Sequence, residues 1–111
     1  MNHRVWFYSR LSMRTDIESE IREFKQWSNE HGAELVGCTF EPATASLLQR
    51  KGILEIIDAA ERRAIDLVVA ESIDCFSRKR SELEPFLKCL LENDIAVFTK
   101  CQGIIRIPEY D

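Results

Sequence analysis

Arg4-Val5-Trp6-Phe7-Tyr8-Ser9-Arg10-Leu11-Ser12 begins as an apolar, β-prone run and ends in a polar turn that carries an arginine and a serine two positions apart. The run reads as a buried strand. In a sheet whose strands are close to parallel, such a turn delivers its side chains to the carboxyl edge, where α/β domains build their sites. Ser12 then stands where a nucleophile would sit, with Arg10 as the phosphate partner beside it.

Working outward, Thr15-Asp16-Ile17-Glu18 has the form of a capping box with the threonine as cap. Ile17, Ile21, Phe24 and Ser28 recur at helical spacing with Trp27 beside them, and Gly32 supplies a left-handed stop. Leu35-Val36-Gly37-Cys38-Thr39-Phe40 is a second strand, and together these make the strand-helix-strand unit of a parallel crossover. Residues 41–50 open with a proline, lack periodicity and read as a long loop, a length that usually signals a function.

A helix follows with Ile53, Ile56, Ile57 and Ala60 on one face and Glu55, Asp58, Glu61 and Arg62 on the other. Asp66-Leu67-Val68-Val69-Ala70 is a third, nearly all-apolar strand of the kind covered on both faces. A polar loop over 71–80 leads to a second capping-box pattern, Ser81-Glu82-Leu83-Glu84, with Pro85 in the first turn and Leu83, Leu87, Leu90 and Leu91 as the buried face. Asn93-Asp94 stops that helix, 95–98 is a fourth strand, and 104–107 is an edge strand ended by Pro108.

The alternation predicts a three-layer α/β domain: a mainly parallel sheet of four to five strands with helices on both faces. If the strands run one way, the loops after the first three share an edge. Those loops hold Arg10 and Ser12, then Glu41, Thr44 and Arg50, then Asp74 and Arg78.

At 111 residues the chain is a single domain of ordinary size. With 45% hydrophobic and 31% charged residues it has the balance of a soluble globule. No run is long enough to span a bilayer and no signal-peptide core opens the chain, so the expectation is a cytoplasmic protein with no membrane partner. Cys38, Cys75, Cys89 and Cys101 are scattered, and only His3 and His31 could join them, so reduced thiols are expected and no metal site. A net charge of −4 counts against non-specific nucleic-acid binding by the whole surface, yet leaves room for basic residues gathered on one edge.

Arginine offers a planar fork of donors matched to phosphate oxygens, and several together stabilise a pentavalent phosphorus without a metal. A serine within reach attacks phosphorus and stores the bond energy for rejoining, while a carboxylate such as Asp74 orients an arginine or assists the leaving oxygen. Each residue also has a plain alternative. Ser12 is a normal turn residue, Arg10 and Arg50 are ordinary surface ion-pair partners, and Asp74 with Arg78 has the spacing of a local pair. A small α/β domain binding a phosphorylated ligand at the same edge is a further reading, although no glycine-rich phosphate loop is present.

Tyr8-x-Arg10-x-Ser12, Arg50-x-Gly52 and Asp74-x-x-x-Arg78 before a helix, in register with these strands and helices, resemble the catalytic domain of the resolvase/invertase, or serine, site-specific recombinases. The resemblance spans about residues 4–104. It implies that Ser12 forms a phosphoserine link to the DNA 5′ end, that Arg10, Arg50 and Arg78 hold the scissile phosphate, and that Asp74 supports them. Tyr8, Glu41 and Thr44 would serve as supporting or DNA-binding residues. It further implies DNA as substrate, a homodimer or higher oligomer, and no metal or other cofactor.

The chain departs from the family pattern at several positions. Cys75 follows Asp74 where the family has arginine, Glu41, Thr44 and Ala45 stand where it has aspartate and Ser-Gly, and Glu20 replaces a glutamine. These departures imply slower catalysis. They keep open a non-catalytic, protein-binding or regulatory role for the same fold. The expected organisation is one resolvase-like domain over 1–111 without the family's long dimerisation helix and DNA-binding domain, so that DNA binding alone is weak and a separate DNA-binding partner is called for.

Overall fold

Each apolar run is followed by a helix that returns the chain to the same edge of the sheet, and four parallel strands result. The computed structural model describes residues 3–42 and 46–105. The elements are β1 (His3–Arg10), α1 (Ile17–Glu30), β2 (Ala33–Glu41), α2 (Lys51–Glu61), β3 (Leu67–Ala70), α3 (Arg80–Glu92), β4 (Ala96–Thr99) and β5 (Gly103–Ile105). Short 3-10 turns at Leu47–Gln49 and Ile73–Cys75 precede α2 and α3. The first of these gives the segment expected as a plain loop some structure of its own. Thr44, and the part of the expected edge strand after Ile105, lie outside the described residues.

The sheet order is β2-β1-β3-β4-β5. β1, β2, β3 and β4 run parallel, and β5 returns antiparallel to β4. Gly103 permits that return with a φ of +76°, a conformation other residues rarely adopt. The order reverses between β1 and β3, which places the crevice of the sheet where their carboxyl ends open.

Two cores lie on opposite faces. On one, Phe24 and Trp27 of α1 meet Val5, Phe7, Phe40, Val69 and Phe98, with Phe7 and Phe24 stacked at 4.1 Å between centroids. On the other, Ile53 and Ile56 of α2 and Phe86, Leu87 and Leu90 of α3 cover Tyr8, Val68, Val97 and Ile105. The helices therefore sit on both faces, one against two. Burial of these aliphatic and aromatic side chains contributes about 1.5–3 kcal/mol each and dominates the stability of the domain.

The β1–β2 ladder contains one irregularity. Val5 pairs with Leu35 but Trp6 pairs with Gly37, so Val36 is an extra residue. Trp6 lies over Gly37, where a β-carbon would come within 2.8 Å of the indole ring, and its indole N–H donates to the Thr39 hydroxyl at 2.8 Å. At the other end of β1, Arg4 grips Asp66 through Nε and Nη2, both at 3.1 Å, while the Arg4 amide donates to the same carboxylate at 2.8 Å. This contact holds Asp66 below the usual carboxylate range and fixes the start of β3.

Several expected details differ. Asp16, not Thr15, caps α1, its carboxylate accepting from the Ser19 amide at 3.2 Å, because Thr15 turns back toward Ser12. α3 begins at Arg80, one residue before the expected cap Ser81. The glutamate of the expected box, Glu84, is instead engaged by Arg80 at 2.6 Å, and Glu82 accepts from the Ser77 hydroxyl at 2.8 Å. Pro85 consequently lies past the first turn, inside the helix. Phe86 takes the buried position expected of Leu91, which is 36% exposed, and Ile17 at the open start of α1 is also exposed. Among the described residues, no helix is long and apolar enough to cross a membrane.

Candidate active site

The carboxyl ends of β1, β2 and β3 bring the three predicted loops to one edge of the sheet. Arg10 is the last residue of β1 and Leu11 hydrogen-bonds back to the Glu41 carbonyl at 2.9 Å, so the β1 and β2 exits are tied together. Ser12 then opens a tight turn closed by Thr15 N–H donating to the Ser12 carbonyl at 3.1 Å. The Thr15 hydroxyl accepts from the Ser12 amide at 2.8 Å and lies 3.1 Å from Ser12 Oγ, and the Arg14 amide donates to Ser12 Oγ at 3.3 Å. Ser12 is exposed and its hydroxyl is oriented by these contacts, none of which comes from a histidine or carboxylate.

Ser9, three residues before Ser12, is buried, and its hydroxyl donates to Glu20 at 2.8 Å. That bond absorbs Glu20, the residue that stands for the family's glutamine. Spacing alone did not foresee it, although a serine near the end of a strand and an acid in the following helix are the pair to look for.

Beneath the turn lies a buried polar chain. Tyr8 is 1% and Arg50 8% exposed. The Tyr8 hydroxyl donates to Glu41 Oε1 at 2.9 Å and accepts from Arg50 Nη1 at 3.2 Å, and the same nitrogen reaches the Cys75 carbonyl at 3.5 Å. Glu41 Oε2 accepts from the Gly52 amide at 2.8 Å. A β-carbon on Gly52 would collide with Thr39 and Glu41, which is why glycine stands there. Burial, more than its neighbours, pushes the Tyr8 phenol up to about 12, so the hydroxyl stays protonated and able to donate.

The reading of Arg50 as a surface ion-pair partner is therefore excluded by its burial. Tyr8, expected as a supporting or DNA-binding residue, is buried and hydrogen-bonded to Glu41 and Arg50. Asp74 and Arg78, on the loop between β3 and α3, are exposed and form no ion pair with each other, so the local-pair reading also fails. Neither the Arg10 nor the Arg78 guanidinium makes a hydrogen bond or ion pair among the described residues, whereas Arg80 is engaged by Glu84 at 2.6 Å. The Asp74 loop is pinned by Ser72 Oγ, which accepts from the Asp74 amide at 3.0 Å, and by Gln102, which accepts from the Ile73 amide at 3.1 Å. Among the described residues no cluster of three or more histidine, cysteine or acidic side chains is arranged to hold a metal ion.

A family profile described as "Resolvase, N terminal domain" matches residues 5–109. The chain belongs to the resolvase N-terminal domain family. Three solved structures have the same fold as this resolvase-type domain. The N-terminal catalytic domain of TP901-1 integrase is 19% identical with a TM-score of 0.76, covering 90% of this chain and 78% of that one. The C-terminal catalytic domain of ISC1926 TnpA, an IS607-like serine recombinase, is 22% identical with a TM-score of 0.74, covering 86% and 67%. A resolvase family site-specific recombinase from Streptococcus pneumoniae is 15% identical with a TM-score of 0.70, covering 93% and 75%. A search of curated protein sequences found no match. The resolvase-like fold expected from the three short motifs is thus the fold the chain has.

Proposed function

We propose that this resolvase-type domain is the catalytic domain of a serine site-specific DNA recombinase, which breaks and rejoins DNA through a phosphoserine intermediate. The observation that carries this reading is Ser12, exposed on the turn after β1 with its hydroxyl oriented, beside the exposed fork of Arg10. Ser12 Oγ attacks the scissile phosphorus, the Oγ–P bond forms and the P–O3′ bond breaks. The serine proton leaves to solvent, and the departing 3′ oxygen takes up a proton with the help of Asp74. Arg10, Arg50 and Arg78 stabilise the added negative charge, and the reverse attack by a 3′ hydroxyl rejoins the strand. No metal or nucleotide is consumed, because the ester stores the energy of the broken bond.

DNA is the substrate, and pairing of two strands' worth of breaks calls for a homodimer or a larger assembly. A separate DNA-binding protein or segment would supply the affinity that an acidic domain lacks. The test is incubation of the protein with suicide DNA substrates. A covalent adduct is expected, with phosphoserine mapped to Ser12 by mass spectrometry and lost in Ser12→Ala. If neither protein yields an adduct at any salt concentration, the domain is instead a protein-binding or regulatory module of the same fold, a role consistent with Cys75 at a family arginine position.

A further inference from the structure

Arg50 immediately precedes α2 and occupies its N-cap position without supplying a side-chain cap. Helix starts normally carry serine, threonine, asparagine or aspartate there, because the first amides need an acceptor. In this chain the acceptor comes from another element: Glu41, at the end of β2, takes the Gly52 amide on Oε2. Its other oxygen takes the Tyr8 hydroxyl, and Tyr8 in turn accepts from Arg50 Nη1. One carboxylate thus fixes both ends of Arg50, the backbone through the first turn of α2 and the guanidinium through Tyr8.

We infer that Glu41 is the positioning residue for Arg50, acting through Gly52 and Tyr8 and not by touching DNA. The inference deepens the recombinase reading and rests on it only for its effect on chemistry. The arrangement holds the guanidinium in a fixed rotamer. It also accounts for three residues together. Glycine at 52 is needed for the carboxylate to approach, tyrosine at 8 is needed as a simultaneous donor and acceptor, and glutamate at 41 has the reach to bridge them. Through Nη1 and the Cys75 carbonyl, the same guanidinium also reaches the loop that carries Asp74 and Arg78.

The experiment is nitrogen-15 NMR of the arginine side chains in the full chain, with no DNA present, beside single-turnover adduct formation. In the wild type the Arg50 Nη hydrogens should exchange slowly with solvent. In Glu41→Ala and in Tyr8→Phe their exchange should accelerate by about tenfold or more, the scale expected for losing a hydrogen bond to a charged group. Glu41→Gln, which keeps the shape and one acceptor, should fall between. Adduct formation at saturating DNA should slow in the same order, and by a larger factor than DNA affinity falls, a split that a merely weaker fold would not give.

Arg50 exchange unaltered in both Glu41→Ala and Tyr8→Phe overturns the proposal. If Glu41→Ala does not fold, Tyr8→Phe, which leaves the cap on Gly52 intact, decides alone. If the wild type forms no adduct, the recombinase reading fails, and the exchange rates still decide whether Glu41 positions Arg50.

Discussion

Tyr8 joins the two roles of the site residues, since its ring stacks on Phe76 at 5.1 Å while its hydroxyl stands between a carboxylate and a guanidinium. Because burial raises its pKa from 10.0 to about 12, the folded state favours the neutral phenol. Stability from this source is complete below pH 10 and is lost as pH rises from 10 through 12. Denaturation across that range should show an alkaline decline that Tyr8→Phe flattens, with tyrosinate absorbance reporting the titration. At this scale the order Tyr8, Arg10, Ser12 was legible in the sequence, because position along a strand decides which residues reach the edge. The contact of Glu41 with Gly52 was not, since it joins residues on different elements by a route that no local spacing encodes.

Helix termini show the same limit one level up. Both capping boxes matched a sequence pattern, yet Asp16 caps α1, and α3 starts one residue early with Glu84 of the second box drawn to Arg80. The helix faces were more legible. Ile53, Ile56 and Ala60 lie where the 3.6-residue period puts them, since burial of an apolar stripe outweighs any cap. The earlier start of α3 turns Pro85 from a first-turn residue into an interior one that cannot donate to the carbonyl four residues before it. Pro85 is exposed, so Pro85→Ala should restore that bond without a clash. Urea denaturation should show a gain of about 1–2 kcal/mol, reduced from the full helix penalty by the proline's restriction of the unfolded chain.

For the molecule as a whole, the alternation of strands and helices was enough to specify a sheet with parallel order and two covered faces. The sequence could not reveal that, among the described residues, α1 covers one face by itself. Nor could it reveal that β5 reverses, since three residues carry no direction. Net charge of −4 sets how this surface meets DNA. With Arg10, Arg50 and Arg78 as the phosphate contacts, fluorescence anisotropy over a salt series should give weak binding whose log–log slope is about −2 to −3, and Arg78→Ala should reduce the slope by about one. A slope near zero would remove the arginine cluster from DNA contact. The extra residue at Val36 has a final consequence, for heredity more than for packing. Side chains alternate along a strand, so one surplus residue exchanges the odd and even positions beyond it. Leu35 before the bulge and Cys38 and Phe40 after it all join the α1 face, while Thr39 and Glu41 are handed to the side of Trp6 and Tyr8. A single-codon deletion of Val36 would remove the surplus residue and leave Glu41 facing Tyr8, whereas a ladder that kept Val36 and paired it with Trp6 would turn Glu41 away. The facing of Glu41 therefore depends on a parity set about five residues upstream.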